Sequence, residues 1–336
     1  MRKPAVSVLL PFSNDAEYLD GALESLSCQT MEDFEVLMVD DGSFDGSKAI
    51  AADRCRSDGR FRILRNTGIG LVDALNSGLS ECLGEWVARM DADDVCEPGR
   101  LDEQLREAMA RGPGTVVTCR VRCFPEDGIT DGYRSYEEWI NSLVSPEEIQ
   151  RNIFVESPVP HPTAFYHRER VISEGGYMER ILPEDYELWL RLWSRGYRFS
   201  RVPLVLLRWR DRPDRFSRHS PAYSLTNFYR LKARYLRYVP CMAGRRVFVA
   251  GGGQTARRLG KCLQENGFFI EAFLVPGPPG SRSRLRGRPV LDTSVLENRR
   301  GIPVVIASRE PGARKRIADL LTGMGLREWH DFLACA

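Results

Sequence analysis

Val87-Ala-Arg-Met-Asp-Ala-Asp-Asp-Val95 decides how this chain is read. A short apolar run ends in three carboxylates, Asp91, Asp93 and Asp94, where a strand would give way to a loop. Carboxylates this close repel one another, so burying them is costly unless a cation joins them; a divalent ion holding a diphosphate makes such a cluster favourable. Alone, an Asp-x-Asp fits a solvated acidic turn better than a site. Two other stretches shift the balance. Val36-Leu-Met-Val-Asp-Asp-Gly-Ser43 is a second apolar run closing on paired carboxylates, and Pro183-Glu-Asp-Tyr-Glu-Leu-Trp189 brings a third acidic group.

Working outward, Val6 to Leu10 reads as a strand closed by Pro11, and Ala16 to Leu26 carries apolar residues at helical spacing. The pattern repeats with strands at 34–39, 61–64 and 86–90 and helices at 45–55 and 71–83. Such alternation predicts a mostly parallel α/β sheet covered on both faces, with ligands outside the carboxyl ends of the strands. Pro11, Asp40, Asp41, Asp91 and Asp93 all fall at those ends, so one shared crevice is expected. Further on, a helix at 100–111 and a strand at 116–121 are followed by an irregular stretch to residue 160, broken by Pro158 and Pro160. A helix then opens after Pro183 and stops at Gly196, which puts Glu184 and Asp185 in its first turn. A new unit starts near Arg245, and the border is placed at residues 239 to 244, giving domains 1–240 and 241–336.

At 336 residues and 43% hydrophobic content the chain can bury two cores. A net charge of +2 argues against a nucleic-acid partner, although residues 195–238 hold twelve Lys or Arg against only Asp211 and Asp214. That stretch ends in aromatics interleaved with cations, Asn227-Phe-Tyr-Arg-Leu-Lys-Ala-Arg-Tyr-Leu-Arg-Tyr238, which suits either an anionic membrane surface or a helix packed by its rings. The nine cysteines form no Cys-x-x-Cys pair and no run approaches the roughly 18 apolar residues of a membrane span. The expectation is a reduced, cytoplasmic chain, soluble or peripheral to the inner face of the membrane.

Taken in order, Val6-Ser-Val-Leu-Leu-Pro-Phe-Ser-Asn14, Ser25-Leu-Ser-Cys-Gln-Thr30, Val39-Asp-Asp-Gly-Ser-Phe-Asp-Gly46, Arg65-Asn-Thr-Gly68, Ala74-Leu-Asn-Ser-Gly78, Met90-Asp-Ala-Asp-Asp94 and Glu184-Asp-Tyr-Glu-Leu-Trp189 resemble the motifs of family 2 glycosyltransferases. These are inverting nucleotide-sugar enzymes of the GT-A fold, and the resemblance covers roughly residues 4 to 218. It implies a hexosyl- or N-acetylhexosaminyltransferase using a nucleotide-sugar donor, a UDP-sugar favoured, and a glycan or lipid-linked acceptor in surface polysaccharide assembly. It places Pro11, Asp40 and Asp41 at the base and Asp91 at the ribose and sugar. Asp93 would hold Mn2+ or Mg2+, Asp185 would be the base, and Glu184 and His161 would face the acceptor. Asp94 is left as a supporting or capping residue. Arg212 stands where the family often has a histidine; Arg210 or Arg212 would clamp the diphosphate. A non-catalytic sugar-nucleotide-binding regulatory protein is the competing class, and loss of Asp93 or Asp185 would be its sign.

The second unit carries Gly251-Gly-Gly-Gln-Thr-Ala-Arg-Arg-Leu-Gly260 after a strand and resembles Rossmann-like domains. Its next strand ends in Val275-Pro276, without the acid that would hold a ribose, so no working dinucleotide site is expected. A structural role, homo-oligomer formation or phosphate sensing is expected instead.

Overall fold

Side chains of the first strand alternate between two covered faces, with Val6, Val8, Leu10 and Phe12 on one and Ser7, Leu9 and Pro11 on the other, all of them buried. The computed structural model describes residues 3–127, 129–278, 283–299, 301–310 and 312–336. In chain order the first elements are β1 (Val6–Phe12), α1 (Ala16–Ser27), β2 (Phe34–Asp40), α2 (Ser47–Ser57), β3 (Phe61–Arg65), α3 (Leu71–Glu81), β4 (Trp86–Arg89), β5 (Val95–Cys96) and α4 (Arg100–Arg111). They are followed by β6 (Thr115–Phe124), α5 (Asp131–Ser142), α6 (Pro146–Asn152), β7 (Phe165–His167), α7 (Arg168–Ser173), α8 (Glu184–Ser194), β8 (Arg198–Arg210) and α9 (Phe216–His219).

One eight-stranded sheet runs β3-β2-β1-β4-β7-β6-β8-β5. Its β3-β2-β1-β4 half is parallel, as strand–helix alternation predicts, and both faces are covered. Leu19, Leu23 and Leu26 of α1 share a core with Val8, Leu10 and Met38. On the other face α3 comes so close that a Cβ on Gly78 would lie 2.2 Å from Leu9 Cδ1. The other half is mixed, because β7 runs antiparallel to β4 and β6, and β5 antiparallel to β8. Helix α8 ends as its sequence suggests: Gly196 takes φ +88°. Gly196 N then bonds Trp193 O and Tyr197 N bonds Leu192 O, a closing pattern that needs a left-handed residue.

The remaining elements are α10 (Leu225–Leu236), β9 (Arg246–Ala250), α11 (Gln254–Glu265), β10 (Phe269–Val275), β11 (Arg284–Leu285), β12 (Arg288–Asp292), β13 (Val304–Ile306), α12 (Ala313–Gly323) and β14 (Phe332–Ala334). They form a six-stranded sheet in the order β11-β12-β10-β9-β13-β14, parallel except at the β11–β12 pair. The chain divides into Met1–Gln150 with Pro158–His219, and Arg151–Ser157 with Ser220–Ala336. The expected border at residues 239–244 is therefore corrected to Ser220, and Pro240 begins a short 3-10 turn inside the second unit. The reason lies in α10, whose Tyr229, Leu231, Tyr235 and Leu236 are buried in that unit. Its Lys232, also buried, donates to Val155 O at 2.8 Å and Cys335 O at 3.0 Å, which ties the segment 151–157 to the second unit. With Tyr229 and Tyr235 buried, two of the rings in the basic stretch are packed rather than presented to a headgroup layer. Among the described residues no helix is long and apolar enough to cross a membrane.

Candidate active site

Parallel register brings the carboxyl ends of β3, β2, β1 and β4 to one edge: Phe12 pairs with Asp40, Asp40 with Arg65, and Leu9 with Arg89. Pro11, Asp40, Asp41, Asp91 and Asp93 lie on or just past that edge. Asp40 Oδ1 accepts from Ser43 N at 2.9 Å and Oδ2 sits 3.3 Å from Lys48 Nζ, so this carboxylate shapes the turn that follows β2. Asp41 Oδ1 accepts from Asn66 Nδ2 at 2.7 Å and from Gly70 N at 3.1 Å, tying the loop after β2 to the loop after β3. Pro11 is buried within β1 opposite Val39.

Asp91, Asp93 and Asp94 can each offer a carboxylate oxygen within 4.8 Å of the others. Burial, and then the charge of Asp91, push the Asp93 carboxyl up to about 6. Asp94 goes well above the usual carboxylate range through burial and the charges of Asp93 and Asp91. Asp94 Oδ1 accepts from Arg210 N at 2.8 Å, whereas its Oδ2 is buried with no hydrogen-bond partner. An all-oxygen donor set that resists ionisation and keeps a buried oxygen unsatisfied fits a hard divalent ion such as Mn2+ or Mg2+.

Arg89 organises the floor. Its side chain is 2% exposed and pairs with Asp91. The charge of the same guanidinium is felt by His161, in the turn at 161–163, and by Asp185 at the start of α8. Asp185 is buried in the first turn of α8, and its Oδ1 accepts from Tyr186 N at 2.7 Å. Burial raises its carboxyl to about 6, against the lowering pull of that backbone bond and of Arg89. Glu184 Oε1 stands 3.7 Å from His161 Nδ1, and His161 Nε2 is 3.0 Å from Tyr177 OH. Burial and the Arg89 charge hold His161 well below its ordinary value, leaving a neutral ring. Asn76 of α3 fixes Tyr177 from both sides, donating to its O at 2.7 Å and accepting from its N at 2.9 Å.

Arg210, the last residue of β8, and Arg212 just past it make different contacts. Arg210 Nε donates to Asp93 O at 2.7 Å, and its guanidinium lies 4.3 Å and 4.7 Å from the ring centroids of Phe124 and Tyr18. Arg212 reaches the Asp93 carboxylate instead, with Nε 3.1 Å from Oδ2, and donates from Nη2 to Asp15 Oδ1 at 2.9 Å. Arg212 thus sets its charge against one carboxylate oxygen of a group that could hold a divalent ion. Arg212→Met is expected to tighten Mn2+ binding in the absence of nucleotide by roughly fivefold, the scale of about 1 kcal/mol for a partly exposed ion pair. Titration of Mn2+ into the nucleotide-free protein checks this; unchanged or weaker Mn2+ affinity would show that Arg212 does not compete.

Arg89, Asp15, Arg100 and Tyr177 are participants that sequence reasoning missed. An arginine inside an apolar run reads as a strand residue with a solvated tip, and only the fold shows it buried. Asp15 does carry a signal, a helix-start residue after Ser13-Asn14, and its Oδ2 accepts from Ser13 N at 3.0 Å. Arg100 is fully buried and donates to Arg89 O at 2.6 Å, Pro162 O at 2.7 Å and Gln104 Oε1 at 2.9 Å, joining the acidic cluster to the His161 turn. Arg100→Met leaves those carbonyls unsatisfied and is expected to lower stability by about 3 kcal/mol. Denaturant unfolding measures it, and a loss under about 1 kcal/mol would remove Arg100 from this supporting role.

Residues 7–176 match the family model described as Glycosyl transferase family 2, and the chain belongs to that family. The amylovoran biosynthesis glycosyltransferase AmsE of Erwinia amylovora is 32% identical over 234 residues, which is 67% of this chain and 85% of AmsE. Among solved structures, S. aureus TarS 1-349 in complex with UDP is similar with a TM-score of 0.53 at 18% identity, over 78% of this chain and 70% of that one. The mannosyltransferase PcManGT of Pyrobaculum calidifontis, in complex with GDP-Man and Mn2+, gives 0.52 at 17% identity, over 79% and 74%. The first unit has the GT-A fold.

Proposed function

We propose that the chain is a metal-dependent inverting glycosyltransferase that moves a sugar from a nucleotide donor, a UDP-sugar first among them, to a glycan or lipid-linked acceptor in surface polysaccharide assembly. The observation that carries this reading is the Asp91–Asp93–Asp94 cluster just past β4, with Asp91 paired to the buried Arg89, together with the buried Asp185 from α8, far along the chain, which feels the charges of Arg89 and Asp91. The name of AmsE supports the polysaccharide setting, and the UDP of TarS with the GDP-Man and Mn2+ of PcManGT support the donor class and the ion. A regulatory binder would have no need of both Asp93 and Asp185, and both are present.

In the reaction an acceptor hydroxyl oxygen forms a bond to the anomeric carbon while the bond from that carbon to the diphosphate oxygen breaks. The hydroxyl proton passes to an Asp185 carboxylate oxygen, and the electron pair leaves with the nucleoside diphosphate. Asp185 suits this task because burial raises its basicity while Arg89 and the start of α8 keep the anion available. Neutral His161 and Glu184 would receive the acceptor beside it. Pro11 and Asp41 would face the base, with Asp40 shaping the turn, and Asp91 would face the ribose and sugar. A divalent ion on Asp93 would offset the charge that develops on the leaving diphosphate. Arg210, held by Asp93 O and two rings, and Arg212 would meet the same phosphates. A thermal-shift screen of UDP- and GDP-sugars with Mn2+ tests the donor assignment: at least one should raise the melting temperature only when Mn2+ is present, and a flat response to all of them counts against it.

A further inference from the structure

A cavity of about 820 Å3 opens in the second unit at the carboxyl ends of β9, β10 and β13. It lies where the strand order departs from β9 in two directions, towards β10 on one side and β13 on the other, the place where doubly wound sheets leave a crevice. The turn after β9 forms its floor. Gly251 there has φ +142°, and a Cβ would stand 2.5 Å from Ala307 O, so only glycine lets this turn settle against the end of β13. The walls are mostly apolar, with Val275 and Pro276 on one side and Ile317 and Leu320 of α12 on the other. Arg309 and Arg316 bring two guanidinium groups to the β13 side, against Glu310 as the one carboxylate among the described lining residues.

We propose that this cavity is a binding site for a nucleoside phosphate, separate from the donor site in the first unit. Its volume is in the range of small-molecule sites, and its lining asks for an apolar, flat body with an anionic end. The phosphate belongs with Arg309 and Arg316, whose planar forks match its oxygens, and the base belongs between the apolar walls. A dinucleotide fits less well, since the strand end that would hold its ribose hydroxyls offers only Val275 and Pro276.

Calorimetry on the full chain in excess chelator, which keeps cations from the Asp93 cluster, should show saturable binding of AMP or UMP below millimolar concentration. NAD should bind no more tightly than AMP. The double variant Arg309→Glu with Arg316→Glu should weaken the mononucleotide by about tenfold or more. The same variant should melt like the wild type and keep Mn2+-dependent UDP binding, which reports on the first unit alone and separates a failure here from a failure of the transferase reading. No saturable AMP or UMP binding, NAD binding tighter than AMP, or full AMP affinity in the folded double variant would each overturn the proposal.

Discussion

Asp185→Asn is expected to keep the affinity for a nucleoside diphosphate while lowering turnover by a factor of about 100 or more, the usual scale of lost general-base help. The substitution preserves shape, so the backbone bond at the start of α8 survives, and only the carboxylate proposed to accept the proton is gone. Turnover in the wild type should also decline as pH falls through about 6, because burial raises the Asp185 carboxyl to that value and the protonated acid cannot accept the acceptor's proton. Nucleotide release from a donor sugar, followed against pH in both proteins, is the measurement. If Asp185→Asn stays within a fewfold of wild type, the base lies elsewhere and Glu184 is the next residue to change.

Asp93→Ala should abolish Mn2+-dependent nucleotide binding, with a loss on the order of 100-fold or more in affinity as a hard oxygen ligand disappears beside the diphosphate. In the absence of metal the same residue has the opposite effect on the fold. Its folded carboxyl sits near 6 against an ordinary 3.8, so the folded chain binds more protons than the unfolded chain between those values. Stability of the metal-free protein therefore declines as pH rises through that window, and the deficit persists above it. Asp93→Asn removes the ionisable group and should melt higher than wild type in chelator at neutral pH, by a few degrees. The pair of results is diagnostic: weaker binding together with a higher melting temperature marks a carboxylate kept for a cation. Wild-type nucleotide affinity in Asp93→Ala would remove Asp93 from the ion site.

Much of the first unit was legible because its signals are local. Apolar runs ending in Asp40-Asp41 and in Met90-Asp91 announced strands with acids at their carboxyl ends, and Gly196 announced the end of α8. Helix α2 begins two residues later than the spacing indicates, at Ser47, because Asp45 turns back to accept from Ser47 N at 2.9 Å and from Ala16 N at 3.0 Å. What the sequence withheld depends on distant pairing. The two-residue strand Val95–Cys96 exists because Leu207 and Arg208 lie opposite it, and Phe165–His167 is a strand because β4 and β6 flank it. Neither has a periodicity of its own. The burial of Arg89, and its electrostatic influence on His161 and Asp185, was hidden for the same reason, since both depend on the sheet having formed. The border at Ser220 escaped because Pro240 and Gly244 look like a linker, while the buried face of α10 that commits it to the second unit shows only as an ordinary amphipathic pattern.

Asp93 and Asp185 are proposed to serve one metal-dependent sugar transfer. Release of nucleotide from UDP- and GDP-sugars by the full chain, in Mn2+, in excess chelator, and after Mn2+ is restored, tests it most directly. Release is expected in Mn2+, with its loss in chelator and its return on adding the ion back, and with neither Asp93→Ala nor Asp185→Asn reaching the wild-type rate. Undiminished release in chelator, or wild-type rates in both variants, would contradict it.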